Sequence, residues 1–433
     1  MPSGVEIVSP PPSPMCHTPT NRDPPGHSHR LEIDKFEVFM TELRQHHGRR
    51  PMVSILHKDE ELTPADQGDT SLYRKQFTKA FAYYCRALSQ CPISSTTNID
   101  SSMLPTISNI GLASFENGED QCALMFYYRA LEGYERIGSR RDIVIVLCRI
   151  GDVLYELENS DDAREYYSRA VALYDKMPDI NDIECGEITI VVPKALARLG
   201  NHTKAWDIWM RVLSTHKQNN NIIGSSNILN EIALYYHVNK REYKLALELH
   251  LRALEGYRSG GVWFAEAGIT LDYMGLAFEE LGQSENALEH HLQALYIFGN
   301  AKSNGYCIQR AKSYARMGDV HRRLANYAEA LQNQYSALVE YEKTCSSGNT
   351  LREGCIRDIE SLFLDLRQQE DYTQIYQNLL DKFQNALGSQ HKMIVMAREE
   401  LDASSARVAI NTSYPKSTSL LIPGWDVDCF SRA

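Results

Sequence analysis

Residues 147–174 read LCRIGDVLYELENSDDAREYYSRAVALY, and the spacing of small residues in this stretch decides the fold. Ala163, Tyr167 and Ala170 fall at i, i+4 and i+7, which places them on one stripe of a helix. Gly151 lies twelve residues before Ala163, inside a second amphipathic run, and Asn159-Ser160 between the two suits a helix stop followed by a helix start. The stretch therefore predicts two antiparallel helices. Small residues on their facing stripes let the backbones approach, and the tyrosine fills the hollow beside them.

The same phrase recurs as Ala80-Tyr84-Ala87, Ala123-Tyr127-Ala130, Ala205-Trp209-Val212, Ala246-His250-Ala253, Ala287-His291-Ala294 and Ala330-Gln334-Ala337, with a degenerate copy at Tyr372-Tyr376-Leu379. From Ala80 to Tyr372 the first positions are separated by 43, 40, 42, 41, 41, 43 and 42 residues. Intervals this regular signal a solenoid of repeats. Gly68, Gly111, Gly275 and Gly318 keep the place twelve residues before the alanine, whereas Ala233 lies thirteen before, an insertion near Asn239. Pro193 breaks the pattern in the fourth copy and Glu360 in the eighth. Further turns are marked by Asn117-Gly118, Gly200-Asn201, Gly282-Gln283 and Ala325-Asn326.

A period near 42 is also that of HEAT or armadillo repeats, and the motif separates them. Leu-x2-Gly followed by Ala-Leu-x3-Tyr-x2-Ala-Leu, as in 147–174 and in LDYMGLAFEELGQSENALEHHLQAL (271–295), resembles the tetratricopeptide family over roughly residues 70–385. The resemblance implies an all-α, right-handed solenoid of about eight helical hairpins. The expected organisation is a disordered Pro/Ser-rich tail (1–30), a short helix and linker (31–53), the superhelix (54–385), a capping helix (386–408) and a disordered C-terminal tail (409–433). The long repeat is similar to that of kinesin light chains, whose Asn-Asn-Leu-Ala-x-Leu-Tyr opening is partly matched by LNEIALYYHVNKREYKLALELHLRALEGY (229–257), with Asn230 and, in the second copy, Asn109 in one of the two Asn places. The amphipathic stretch LEIDKFEVFMTELRQHH (31–47) is too brief for the coiled coil of those chains.

Composition narrows the function. Hydrophobic residues at 43% and charged residues at 23% suit a folded soluble chain, while a net charge of −11 has the wrong sign for a phosphate-backbone binder, so no nucleic acid is expected. Neither an 18-residue apolar run nor a secretory pattern is present, which predicts a cytoplasmic protein without membrane insertion. Ten scattered cysteines without a C-x-x-C pair argue against zinc and against a disulfide framework. No metalloprotease, nucleophile-elbow, P-loop or dinucleotide motif occurs, so no enzyme activity, cofactor or metal is expected. Adjacent histidines such as His290-His291 point about 100° apart on a helix and cannot chelate alone, and His291 in the tyrosine place reads as a packed core residue. Ser9, Ser13 and Thr18, each before a proline, are phosphorylation candidates.

The expected role is a scaffold or adaptor that binds other proteins, as peptide segments or helices; the alternative is a structural subunit of a larger cytoskeletal, transport or axonemal assembly. In the family resembled, the first helix of each hairpin lines a concave groove. That geometry implies groove positions at Asp152, Tyr155, Lys194, Asn227, Asn230, His237, Asp272, Glu279, Lys312, Asp319 and Arg322. Lys312 with Arg316 also matches one element of the family's carboxylate clamp, whose other elements are missing. The tail ends in LLIPGWDVD (420–428), where Trp425 between apolar residues and Asp426 and Asp428 resembles the Trp-acidic cargo peptides of kinesin light chains, which implies docking of the tail into its own groove.

Overall fold

Two helices per repeat recur along the chain in a computed structural model, which describes residues 63–73, 76–90, 100–177, 186–260, 265–300, 306–344, 349–366 and 372–413. The Pro/Ser-rich tail with Ser9, Ser13 and Thr18, the 31–53 segment, and the tail motif of Trp425, Asp426 and Asp428 lie outside the described residues. Seventeen α-helices and no strand occur among the described residues. They pair as α1 (Pro64–Tyr73) with α2 (Phe77–Gln90), α3 (Leu104–Glu116) with α4 (Asp120–Ile137), and α5 (Arg140–Glu156) with α6 (Ser160–Tyr174). Next come α7 (Ile188–Arg198) with α8 (His202–Gln218), α9 (Ile222–Tyr235) with α10 (Tyr243–Ser259), α11 (Ala265–Glu280) with α12 (Ser284–Asn300), and α13 (Cys307–Arg323) with α14 (Tyr327–Glu342). The chain continues through α15 (Thr350–Leu366), α16 (Tyr372–Leu387) and α17 (Lys392–Ser413). Two compact units divide it, residues 1–358 and 359–433, the boundary falling inside α15. Within the second unit Phe363 of α15 meets Tyr376 of α16 edge to face at 5.2 Å, and Lys392 of α17 pairs with Glu360 at 2.6 Å.

In the first unit the packing follows the periodic phrase. Ala80, Ala123, Ala163, Ala205, Ala246, Ala287 and Ala330 are all at most 1% exposed, so each marks a helix crossing with no room for a longer side chain. The residue four places on lies over the small residue of the partner helix. A methyl added to Gly111 would sit 2.7 Å from the Tyr127 ring, one on Gly151 2.6 Å from the Tyr167 ring, and one on Gly275 2.4 Å from the His291 ring. Glycine is thus the floor on which the ring rests. Ala163→Leu is expected to destabilise by about 1–3 kcal/mol through overpacking. The same leucine at the exposed Arg164 is expected to change the urea midpoint little; equal shifts at both positions would refute the register.

Six of the described turns inside hairpins share one device. One residue adopts a left-handed backbone, at Gly118 (φ 76°), Glu158 (60°), Gly200 (83°), Arg241 (54°), Gly282 (71°) and Ala325 (58°). In five of them the following amide bonds back to the carbonyl five residues earlier, as in Asn159 to Leu154 (2.9 Å) and Asn201 to Leu196 (2.8 Å), whereas after Arg241 the Glu242 amide reaches Tyr236, six residues back, at 3.0 Å; either bond satisfies the helix end. Asn159 and Asn201 next cap the second helix by accepting from Asp162 and Lys204 amides. The insertion near Asn239 is absorbed by a single π-helical turn, Tyr236–Lys240, so that Ala233 and Ala246 still face one another's helices despite the extra residue.

Candidate functional site

First helices of successive hairpins touch one another in the first unit: α1 with α3, α3 with α5, α5 with α7, α7 with α9, and α11 with α13. They form the inner wall of its curve. Tyr273, on α11, marks how tightly that wall bends. Its phenol is pushed up by burial, held back by the Arg316 charge, raised by Glu116 and Glu231, and lowered by Lys194. Those four charges stand on α13, α3, α9 and α7. Charges on four other first helices therefore act on this one side chain.

Most of the residues expected to line the groove are engaged by neighbours within the chain. Asp152 accepts from the Tyr167 hydroxyl at 2.7 Å and pairs with Lys194 at 3.0 Å. That pairing outweighs burial and raises the Lys194 ammonium above its ordinary value. Asn227 accepts from the Tyr257 hydroxyl at 2.7 Å, and Asn230 meets His250 Nδ1 at 2.5 Å. Asp272 is the centre of a larger cluster: His291 Nδ1 at 2.8 Å, Ser313 Oγ at 2.8 Å and Arg316 at 3.1 Å all reach its carboxylate. Glu279 takes the other face of His291, Nε2 at 3.0 Å, and Arg323 at 3.1 Å. Burial opposes the charge on His291, but the Asp272 and Glu279 bonds prevail and raise its pKa. His250, in the same place one hairpin earlier, has only Asn230 and is pushed down to about 3 by burial and the nearby His237.

The remaining positions are half-buried to exposed. Tyr155 is exposed, with the Arg198 guanidinium 3.6 Å above its ring. His237 sits in the π turn with its ring 5.3 Å from Tyr243, edge to face. A cavity of about 330 Å³ opens between α13 and α15, lined by Lys312, Arg316, Asp319, Thr350, Leu351 and Asp358 among others. Asp319 accepts from Gln334 at 3.2 Å; it reaches solvent, yet the concave surroundings and the Asp358 and Glu279 charges push its carboxyl up to about 6. Burial also pushes the Asp358 carboxyl up, and the Arg322 charge opposes the rise at both Asp319 and Asp358.

Residues 102–176, the segment of α3 to α6, match the Tetratricopeptide repeat family. These are tetratricopeptide repeats. With the hairpin geometry repeated through the unit, the fold is an all-α tetratricopeptide solenoid. No curated protein matches the sequence. Among solved structures, BtubC from P. vanneervenii is similar at 15% identity and a TM-score of 0.35, over 56% of this chain and 91% of that one. NprR in complex with its cognate peptide NprX is similar at 14% identity and a TM-score of 0.42, over 83% and 99%. The TPR2AB domain of yeast Sti1 in a complex with pHSP90 follows at 16% identity and a TM-score of 0.26, over 70% and 97%.

Within the tetratricopeptide wall, Glu116, Arg198, Glu231 and Tyr273 escaped the sequence reading although they face the same concavity. Counting the small residue as position 8 of its repeat, Glu231, Tyr273 and Arg316 occupy position 6, and Glu116 and Arg198 position 13. Both positions lie one residue beyond the stripe that was read. A helix face is wide enough to take i+4 beside i+3, so that neighbouring column was the available signal. Among the described residues no group of three or more His, Cys, Asp and Glu is placed to hold a metal ion, and no helix is long and apolar enough to cross a membrane.

Proposed function

We propose that this chain is a protein-interaction scaffold that binds extended peptide segments or partner helices on the concave face of its first unit, in the cytoplasm. The action of charges from four other first helices on Tyr273 of that wall carries the reading. Lys312, Arg316 and Arg322 supply donors, Asp319 and Asp358 supply acceptors, and the cavity between α13 and α15 gives an apolar anchor a place beside Leu351. The kinesin light chain resemblance of the repeat suggests one ligand class, a tryptophan flanked by acids. The chain's own 420–428 segment has that form, and a tethered ligand competes at high effective concentration.

A labelled synthetic peptide of residues 420–428 tests both points. Binding to the chain truncated after Ser413 is expected at micromolar affinity, weakened by salt and by Lys312→Ala, and weaker for the full chain than for its Trp425→Ala variant. Absence of binding to the truncated chain removes this ligand class; equal binding to the full chain and its variant removes self-docking. The assembly-subunit reading has its own support in Leu251 of α10 and Leu292 and Tyr296 of α12, which are 48%, 51% and 72% exposed on second helices. Leu251 and Leu292 hold equivalent places, five residues after Ala246 and Ala287. Concentration-dependent self-association abolished by Leu251→Glu and Tyr296→Glu would favour it.

A further inference from the structure

Among the described residues of the first unit, hydrogen bonds join the turn between α3 and α4 to the start of α15, across more than two hundred residues of sequence. Asn349, fully buried, donates from Nδ2 to the Asn117 carbonyl at 2.6 Å and reaches Glu119 Oε1 at 3.4 Å. Its Oδ1 accepts from the Arg352 amide at 2.9 Å and so caps α15 as well. The Thr350 amide donates to the Gly118 carbonyl at 3.2 Å, and the Thr350 hydroxyl lies 2.9 Å from Asp120 Oδ2. Leu351 closes over Gly118 so tightly that a methyl on that glycine would come within 2.7 Å of it. Two further observations place the same walls face to face: Lys312 of α13 acts on the Asp120 carboxyl, and Glu116 of α3 acts on Tyr273 of α11.

We propose that this contact is a latch, which closes the first unit into a ring around its concave face and must open before a segment internal to a longer partner chain can enter sideways. The proposal rests on the peptide-binding reading of that face and adds its regulation. Neighbouring hairpins of a solenoid share a packed interface, but hairpins far apart in sequence share none unless a specific contact supplies it. Here, apart from Leu351 over Gly118, that contact is polar. Opening it exchanges protein hydrogen bonds for hydrogen bonds to water, each of modest net worth, whereas an apolar seam of the same area would resist separation. The Asn349 side chain is satisfied when closed and is readily hydrated when open, which suits a reversible closure. Arg352, anchored to Glu342 at 2.7 Å, ties the moving end of α15 to α14.

The test measures access and does not need affinity. Ala315 lines the cavity on α13, and Gln293 is exposed on α12. Cysteine is placed at each in separate full-length proteins, and labelling at that residue is read by peptide mass mapping. Two probes are used: N-ethylmaleimide, and a maleimide at the middle of a linker joining two small folded domains, which cannot thread end first. With the latch intact, the ratio of two-domain to small-probe rates at residue 315 is expected to be at least tenfold below that at residue 293. Asn349→Ser and, separately, Thr350→Val are expected to raise the ratio at residue 315 towards that at residue 293. Hydrogen exchange at the Thr350 amide is expected to quicken in parallel. An unchanged ratio in both variants while that amide exchanges faster overturns the proposal, as does a ratio at residue 315 already equal to that at residue 293 in the parent. A face that labels in the expected pattern yet binds no 420–428 peptide keeps the latch and removes that ligand class.

Discussion

Gly151→Leu is expected to destabilise the first unit by about 3 kcal/mol, read as a lowered urea midpoint with unchanged slope. The Tyr167 ring rests on Gly151, and a methyl there already comes within 2.6 Å of it. Tyr167 is 2% exposed and its hydroxyl is held by Asp152, so the ring has nowhere to swing. Gly151→Ala is also expected to destabilise, against alanine's helix preference of about 1 kcal/mol. Gly354 provides the opposite case within the same unit. It lies inside α15, and a methyl on it meets nothing nearer than Arg357 at 3.9 Å, so Gly354→Ala is expected to stabilise by about 0.5–1 kcal/mol. If the two alanine substitutions shift the midpoint in the same direction, contact between ring and glycine does not explain the repeat's small residue.

His291→Gln is expected to cost about 3 kcal/mol near pH 6, because it leaves Asp272 and Glu279 facing each other across a site closed to water. The pH dependence gives a sharper reading. The folded-state pKa of His291 lies above its unfolded value of 6.5, so its contribution is fully present below that value and is lost as pH rises through the raised one. His250 works in the other direction. With its folded pKa at about 3, the unfolded chain takes up the proton first, so its neutral form stabilises above 6.5 and that contribution is lost as pH falls, by about 1.4 kcal/mol per unit. Denaturation between pH 5 and 9 is therefore expected to show a loss on both sides. His291→Gln removes the alkaline limb and His250→Gln the acid one. An alkaline limb that survives His291→Gln would mean that the imidazole is neutral in the folded protein.

The hairpins were legible because each is written in local terms. Ala163, Tyr167 and Gly151 lie within one stretch, and their chemistry repeats at a steady interval, so burial and period reinforce each other. Most turns were legible for a similar reason, since Asn117-Gly118, Asn159-Ser160, Gly200-Asn201, Gly282-Gln283 and Ala325-Asn326 are short-range signals, whereas the turn at Arg241 carries no such pair. The concave face was legible only in outline. The repeat geometry implies groove positions at Asp152, Asn230 and Asp272, and each holds a side chain of its own chain. The reason is that the tyrosine place, once filled by a polar ring, needs a partner on the facing helix, and the inner wall supplies it. The meeting of Asn349 with Asn117 had no periodic signal at all. It depends on the summed curvature of five intervening hairpins, a quantity that no single repeat encodes.

The π turn at Tyr236–Lys240 makes chain length negotiable at one place in an otherwise rigid repeat. Removing Asn239 would place Ala233 twelve residues before Ala246, the spacing in the neighbouring hairpins, and would let the helix continue in ordinary α geometry. A deletion there is absorbed by one turn of winding, whereas a deletion between Gly275 and Ala287 has no slack to draw on and must pull the ring of His291 off its glycine. Gene variants that lose or gain a codon are thus expected to be tolerated unevenly along the solenoid, with the fifth hairpin as the point where such a length change does least harm.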